Sequence, residues 1–356
     1  MSRTNQFRTL SSLLPRRIPT SSSIRHATSL PSSSHSYASL ASEQPSLATS
    51  PAPFEVFDRS AKRKQRDRAA TRVDEQTGKA GGKSRVTDYL KNEVAERMFE
   101  RFEDLRKPPA SVLDLSSSSG HLTKLIASLE TTQKIRMMDH SEKTLFRDPD
   151  SEFDLAPTRS VVDEEALLTH IDEDSQEAIV SNLGLHWVND IPGVLKQIRQ
   201  GLKPDGFFLG SMLGGDSVFE LRTALQLAEM NQSGGVSPRI SPMADPRDAS
   251  NLLQRAGFTL LTVDVEDITI SYPSMWELIE DLRDMGESGA VLGRRPFIKR
   301  DILLSAEAIY KELHGHEDGT VPATFQVIYL IGWKPSDKTP KALPRGSGKT
   351  NLKDVL

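Results

Sequence analysis

Val112-Leu113-Asp114-Leu115-Ser116-Ser117-Ser118-Ser119-Gly120-His121-Leu122 decides how the rest of the chain is read. It has the form of a buried strand, a turn of small residues and the first turn of a helix. A doubly wound α/β sheet binds a nucleotide-like cofactor at that point, outside the carboxyl end of its first strand. Such a turn usually carries glycine where Ser116 and Ser118 stand, and Gly120 keeps it. Serine is small enough for close backbone approach, but it disfavours the positive φ that glycine adopts freely.

Working outward, strands and helices alternate. Helical spacing extends over 120–130, and Lys134-Ile135-Arg136-Met137-Met138-Asp139 reads as a second strand ending on an acid. Further strands are expected at 159–163, 177–183 and 207–213, with a helix at 190–202 and a turn at Lys203-Pro204-Asp205-Gly206. Helices at 217–230, 247–256, 274–285 and 301–313 then bracket strands at 259–270 and 323–333. This alternation predicts an α/β fold: a doubly wound, mainly parallel seven-stranded sheet, Rossmann-like, with an antiparallel edge strand. Its crossovers are expected to be right-handed. Before the first strand, Tyr89, Leu90, Val94, Met98, Phe102 and Leu105 recur at helical spacing, and Pro108-Pro109 ends that helix.

The 356 residues contain no cysteine, which excludes disulfides, thiol catalysis and cluster ligation by the chain's own thiolates. A net charge of −4 carries no bias toward nucleic acid, and none is expected as a partner. No stretch approaches the roughly 18 apolar residues of a membrane span. Residues 1–50 are rich in arginine and serine, with Glu43 the first acid, the composition of a mitochondrial transit peptide. Residues 51–86 read as a basic extension in which Asp58 or Ser60 caps a helix carrying Lys62, Arg63, Lys64, Arg66 and Arg68. That run is either a solvated face or a dock for an acidic partner or membrane surface. Gly78 to Lys83 reads as a flexible break, 87–335 as the α/β domain, and 336–356 as a polar tail. Within the tail, Gly346-Ser347-Gly348-Lys349-Thr350 imitates a phosphate loop, but Leu343 replaces its leading glycine and no strand precedes it.

Three acids stand at successive strand ends. Asp114 enters the turn, Asp139 is placed to accept ribose hydroxyls, and Asp163 can meet an adenine amino group. Helix capping or turn formation is the plain alternative for each. With Ser116, Ser118 and Gly120 of the turn, and Asn182 and Leu183 after the fourth strand, they form the expected cofactor set. His186 and Trp187 fall at the rim, where the indole can stack on a guanidinium or simply pack under the next helix. Asp216 and Glu220, after the fifth strand, can attract a cationic substrate, although Asp216 also suits a helix cap.

The segments VLDLSSSSGHL, MMDHSEKTL and SNLGLHWVNDIPGVLKQIRQGLKPDGFFLGSM resemble the class I S-adenosylmethionine-dependent methyltransferases over about 110–215. FEVFDRSAKRKQRDRAA, LGLHWVNDIPG, MLGGDSVFELRTAL and YPSMWELIEDLRDMGES look like the mitochondrial complex I assembly factor 5 family over about 54–334. That resemblance implies a methyltransferase-like fold that hydroxylates an arginine of an iron–sulfur subunit of respiratory complex I. It implies a matrix location, peripheral contact with the inner membrane, and other assembly factors as partners. S-adenosylmethionine is the implied cofactor; the oxidant is not implied by any residue. The malonyl-carrier-protein methyltransferases share the LHW segment more weakly.

Side chains alone do not activate dioxygen, so hydroxylation needs a metal or an organic cofactor. His170-Ile171-Asp172 has the local spacing of a two-histidine, one-carboxylate iron site, with His314 or His316 as a third ligand, but its polar setting reads as a surface loop, and no metal site is assigned. Two alternatives to the hydroxylase stay open: a non-catalytic assembly chaperone with a degenerate pocket, and a true methyltransferase acting on an acyl carrier or small molecule.

Overall fold

The computed structural model describes residues 55–74, 78–295, 297–340 and 345–346; the transit-like segment and, apart from Gly346, the phosphate-loop imitation lie outside them. Seven strands form one sheet: β1 (Ser111–Leu115), β2 (Lys134–Asp139), β3 (Thr158–Val161), β4 (Gln176–Ser181), β5 (Leu202–Leu213), β6 (Thr259–Tyr272) and β7 (Val321–Trp333). Their order is β3-β2-β1-β4-β5-β7-β6. The first five are mutually parallel, and β7 runs antiparallel to both β5 and β6. The antiparallel strand is thus inserted one place in from the edge that β6 forms. The order turns back between β1 and β4, which puts a ligand crevice at their carboxyl ends.

The helices are α1 (Arg59–Thr71), α2 (Gly82–Val86), α3 (Tyr89–Glu103), α4 (His121–Ala127), α5 (Glu142–Leu145), α6 (Ile191–Gly201), α7 (Phe219–Ser233), α8 (Pro246–Ala256), α9 (Met275–Asp284) and α10 (Arg300–His314). Alternation along the strands divides the core in two. Val112, Phe207 and Leu209 pack with Val94 and Met98 of α3, Leu122 of α4, Leu221 of α7 and Tyr310 of α10. Leu113, Leu115, Phe208 and Met212 pack on the other face with Val194 and Ile198 of α6 and Leu253 of α8. Both faces are therefore covered, as a mainly parallel sheet requires.

Several local expectations change in the folded chain. The segment Lys203–Gly206 falls within the span of β5 but still turns, with Asp205 at φ 65° and the pairing with β4 jumping from Gln176 against Leu202 to Ala178 against Phe207. The break at Gly78–Lys83 runs into the short helix α2. Asp58 caps α1 by accepting from the backbone N–H of Ala61 at 2.8 Å. The buried stripe of α1 is Lys62, Arg66, Ala69 and Ala70, so its inward face carries two cations. Its acidic partner is this chain's own sheet edge.

Candidate functional site

The turn after β1 keeps a glycine-like path without the glycines. Ser116 and Ser118 have φ of 56° and 53°, and Gly120 has φ of 87°. Left-handed geometry costs a non-glycine residue roughly 1–2 kcal/mol. The loop retains it because each serine is held from outside. The Ser116 hydroxyl donates to Glu164 at 2.7 Å, the Ser118 backbone N–H donates to Asp139 at 2.9 Å, and Lys91 donates to the Ser118 hydroxyl at 3.4 Å. At Gly120 a Cβ would lie 2.7 Å from the Phe153 ring and 2.9 Å from Met137, so no larger residue fits.

Two of the three strand-end acids meet at the crevice, and the third lies beneath it. Asp139 accepts from Ser118 and Ser141 and lies 3.8 Å from the Arg66 guanidinium. Burial raises its pKa against the pull of Arg66. Asp163 sits half-exposed at the rim, caps the following 3-10 turn through the Glu165 N–H, and accepts from Arg59 at 2.6 Å. Asp114 is enclosed below the turn and accepts from the Thr123 hydroxyl at 2.6 Å. Burial, with the Asp139 charge adding to it, pushes its carboxyl up to about 7.

The crevice is filled by α1. Arg59 pairs with Glu164 and Asp163 and shares a hydrogen bond with His140 at 3.1 Å. Lys62 donates to the carbonyls of Gly286 and Ser288 and stands 3.3 Å over the Trp187 ring. Asp67 accepts from the Ser141 hydroxyl at 2.7 Å. Burial opposes ionisation of Glu164, but Arg59, Arg66 and Ser116 together hold its pKa below the usual value. The spaces left between α1 and the crevice residues His140, Ser141, Glu164 and Ser118 are cavities of about 10 Å³, enough for a water and far too small for a nucleoside, while a larger space of about 450 Å³ lies on the other side of α1, against Arg283 and Asp284. With α1 in place, the residues expected to hold S-adenosylmethionine therefore do not fit it.

His140, Asp163 and Glu164 bring ligand-type atoms within 4.8 Å of one another, and the Arg59 guanidinium occupies their midst. Among the described residues, His170 and Asp172 join no such cluster. The other expected contacts divide. Asn182 donates to the Lys91 carbonyl and accepts from Ser211, while Leu183, at φ 51°, donates its N–H to Ser211. Both are buried and satisfied within the fold.

Beside the crevice, between α7, α9 and the end of β5, lies a separate cavity of about 480 Å³ lined by Leu90, Leu213, Leu221, Ile279 and Phe325, with Trp187 and Glu287 in its wall. Asp216 and Glu220, expected at the substrate, are absent from that wall. Glu220 is buried and accepts from the Thr324 hydroxyl at 2.6 Å, tying α7 to β7. Asp216 is exposed and accepts from Gln326; the residue before α7 is Val218, with no side-chain cap. The cation over Trp187 is likewise internal, Lys62. Glu287 is the acid that sequence reasoning missed. It lies in a loop after α9, without periodicity, where only the charged residue of a Gly-Glu-Ser turn hinted at it. Its carboxylate accepts from the Trp187 indole N–H and shares a hydrogen bond with His186 at 3.3 Å.

A turn at the carboxyl end of β1, acids at the ends of β2 and β3, and seven strands in this order define a methyltransferase-type domain. A methyltransferase-domain family profile matches residues 87–263. The chain is 41% identical over 300 residues to the arginine-hydroxylase NDUFAF5, mitochondrial, of Danio rerio, covering 84% of this chain and 89% of that protein. The Homo sapiens protein of the same name is 42% identical over 311 residues, 87% of this chain and 86% of that one. A malonyl-[acyl-carrier protein] O-methyltransferase of Halorhodospira halophila is 31% identical over 284 residues, 80% of this chain and 90% of that one. The chain belongs to the family of the mitochondrial NDUFAF5 arginine-hydroxylases, with the acyl-carrier methyltransferases as more distant relatives.

Proposed function

We propose that this protein hydroxylates an arginine of an iron–sulfur subunit of respiratory complex I during its assembly. It acts in the mitochondrial matrix, peripherally on the inner membrane, beside other assembly factors. The observation that carries this reading is 41–42% identity, over more than four-fifths of the chain, to proteins named mitochondrial arginine-hydroxylases. No helix among the described residues is long and apolar enough to cross a membrane, which suits peripheral contact.

Hydroxylation replaces C–H by C–OH. With dioxygen as oxidant, one oxygen enters the substrate and the other leaves as water, taking up two electrons and two protons from a reductant. Side chains supply neither, so this chain's residues bind and orient the guanidinium and limit water at the reacting carbon. His186 and Trp187 belong to the substrate side of that arrangement. S-adenosylmethionine remains the cofactor class of the fold, and Asp139, Asp163, the turn from Ser116 to Gly120, and Asn182–Leu183 would face it only with α1 out of the crevice. Asp114 supports the turn from below. Hydroxylation moves no methyl group and draws nothing from a sulfonium.

The test incubates the full-length protein with the iron–sulfur subunit in mitochondrial extract, then maps the subunit by mass spectrometry. A gain of one oxygen atom on arginine is expected; a gain of one methylene instead would make the protein a methyltransferase. The closed crevice favours a second reading, an assembly chaperone without catalysis. Complex I assembly restored with an unmodified arginine would establish it.

A further inference from the structure

The cavity beside Trp187 is mostly apolar, and a buried carboxylate stands in its wall. At about 480 Å³ it falls within the roughly 300–1,000 Å³ of small-molecule sites. The Glu287 side chain is only 9% exposed. Its Oε2 is held by Trp187 and His186, while Oε1 has no partner among the described residues and is almost fully enclosed, so a donor from the cavity reaches it by a small shift of the surrounding side chains. A buried charge without a partner is strongly disfavoured, so a free oxygen of this kind calls for a donor.

The group stays anionic. Burial pushes its pKa up, but His186, Lys62 and Arg66 together hold it well below the usual carboxylate value. Lys62 does not neutralise it by direct contact, because its ammonium donates to the Gly286 and Ser288 carbonyls. Burial lowers the Lys62 pKa and the Glu287 charge opposes that, so Lys62 acts on Glu287 as a cation from outside hydrogen-bond reach. His186 is pushed toward the neutral form by burial as well. Of the other charged groups in the wall, Arg239 is already paired with Glu229 at 2.7 Å, and Glu280 and Arg283 carry opposite signs on α9. What complements this wall is a cation at the end of an apolar stem. A guanidinium is more weakly hydrated than an ammonium and enters such a space with less loss.

We infer that this cavity receives the side chain of a protein arginine, its guanidinium donating to Oε1 of Glu287. The inference rests on the arginine-hydroxylase reading and gives it a binding site. Leu90, Leu221, Ile279 and Phe325 take the methylenes. Trp187 and His186 are positioning residues: they hold Oε2 and leave Oε1 for the substrate.

Isothermal titration of the full-length protein tests this with a short blocked peptide carrying one central arginine, and with its citrulline and norleucine counterparts. The arginine peptide is expected to bind at least ~10-fold more tightly than the neutral citrulline peptide, the worth of a hydrogen bond to a charged group. Glu287→Gln should bring the arginine peptide to the citrulline level, and Trp187→Phe should shrink the arginine-to-citrulline ratio. Equal affinity of the wild-type protein for arginine and citrulline overturns the inference, and so does tightest binding of norleucine, which marks a site for apolar chains. Both comparisons use the wild-type protein, so a misfolded variant cannot mask the answer. Mass spectrometry of the arginine substrate keeps the two readings apart. Oxygen gain without arginine selectivity defeats the pocket alone, whereas selectivity without oxygen gain defeats the hydroxylase reading alone.

Discussion

Asp114→Asn should make the folded protein progressively more stable than wild type as pH rises. Asp114 is 1% exposed, one carboxylate oxygen takes the Thr123 hydroxyl, and the other has no partner among the described residues. Burial lifts the carboxyl from 3.8 to about 7, the Thr123 bond opposes the lift, and the Asp139 charge adds to it. The folded value lies above the unfolded one, so between them the folded state binds more protons. This group's stability is full below about pH 4 and is lost as pH climbs through about 7. At about 1.4 kcal/mol per unit, the difference amounts to as much as about 4 kcal/mol. Asparagine does not ionise, and its amide N–H groups, lacking an acceptor, impose a pH-independent loss of roughly 1–3 kcal/mol. Urea denaturation of both proteins from about pH 4 to about pH 8 separates the two effects, since only the first has a slope. The stability difference, variant minus wild type, should grow across that range by a few kcal/mol and then level off. A difference that stays flat would show that Asp114 remains ionised in the fold and that burial does not govern it.

Two further predictions concern the turn and the crevice above it. Ser118→Gly relieves left-handed strain of roughly 1–2 kcal/mol against about 0.5–1 kcal/mol of added chain entropy, and it gives up only a 3.4 Å contact from Lys91. Ser116→Gly gains the same relief but loses the 2.7 Å bond to buried Glu164, worth roughly 1.5–3 kcal/mol. Urea midpoints should therefore rise slightly for the first variant and stay level or fall for the second; the reverse order would contradict the assigned bonds. Arg66→Ala vacates space beside Asp139, 3.8 Å away, and is expected to tighten S-adenosylhomocysteine binding in isothermal titration even as folding stability falls. An unchanged or weaker Kd would mean that α1 does not compete for that crevice.

How much of this was legible depended on what each segment hides from a pattern. β1, β2 and β4 are buried on both faces, and their short apolar runs between polar turns were readable within a residue or two at most ends. β5 starts earlier than expected, at Leu202, but its pairing with β4 passes from Gln176 against Leu202 straight to Ala178 against Phe207, so the turn-like Lys203–Gly206 is a real interruption inside the strand. The acids at 139 and 163 were readable as crevice residues because a strand end fixes where a side chain emerges. Asp114 precedes the strand end, so its carboxylate turns under the sheet edge toward Thr123. The helix α1 and its Asp58 cap were readable, but its burial in the crevice was hidden for the opposite reason. Periodicity arguments count apolar residues, but the stripe α1 buries is Lys62 and Arg66, and its partners lie far along the chain at Asp139 and Glu164. A cationic helix face looks solvated until the acids that enclose it are known. Glu287 was hidden twice over, in a loop without periodicity and by a neighbour, Trp187, that attracts attention as a stacking platform. In the folded chain the indole serves chiefly as a donor to that carboxylate, with Lys62 over its ring. Both omissions are buried charges paired across more than 70 residues, and such pairing leaves no local trace because it is settled by the fold rather than by neighbours in sequence.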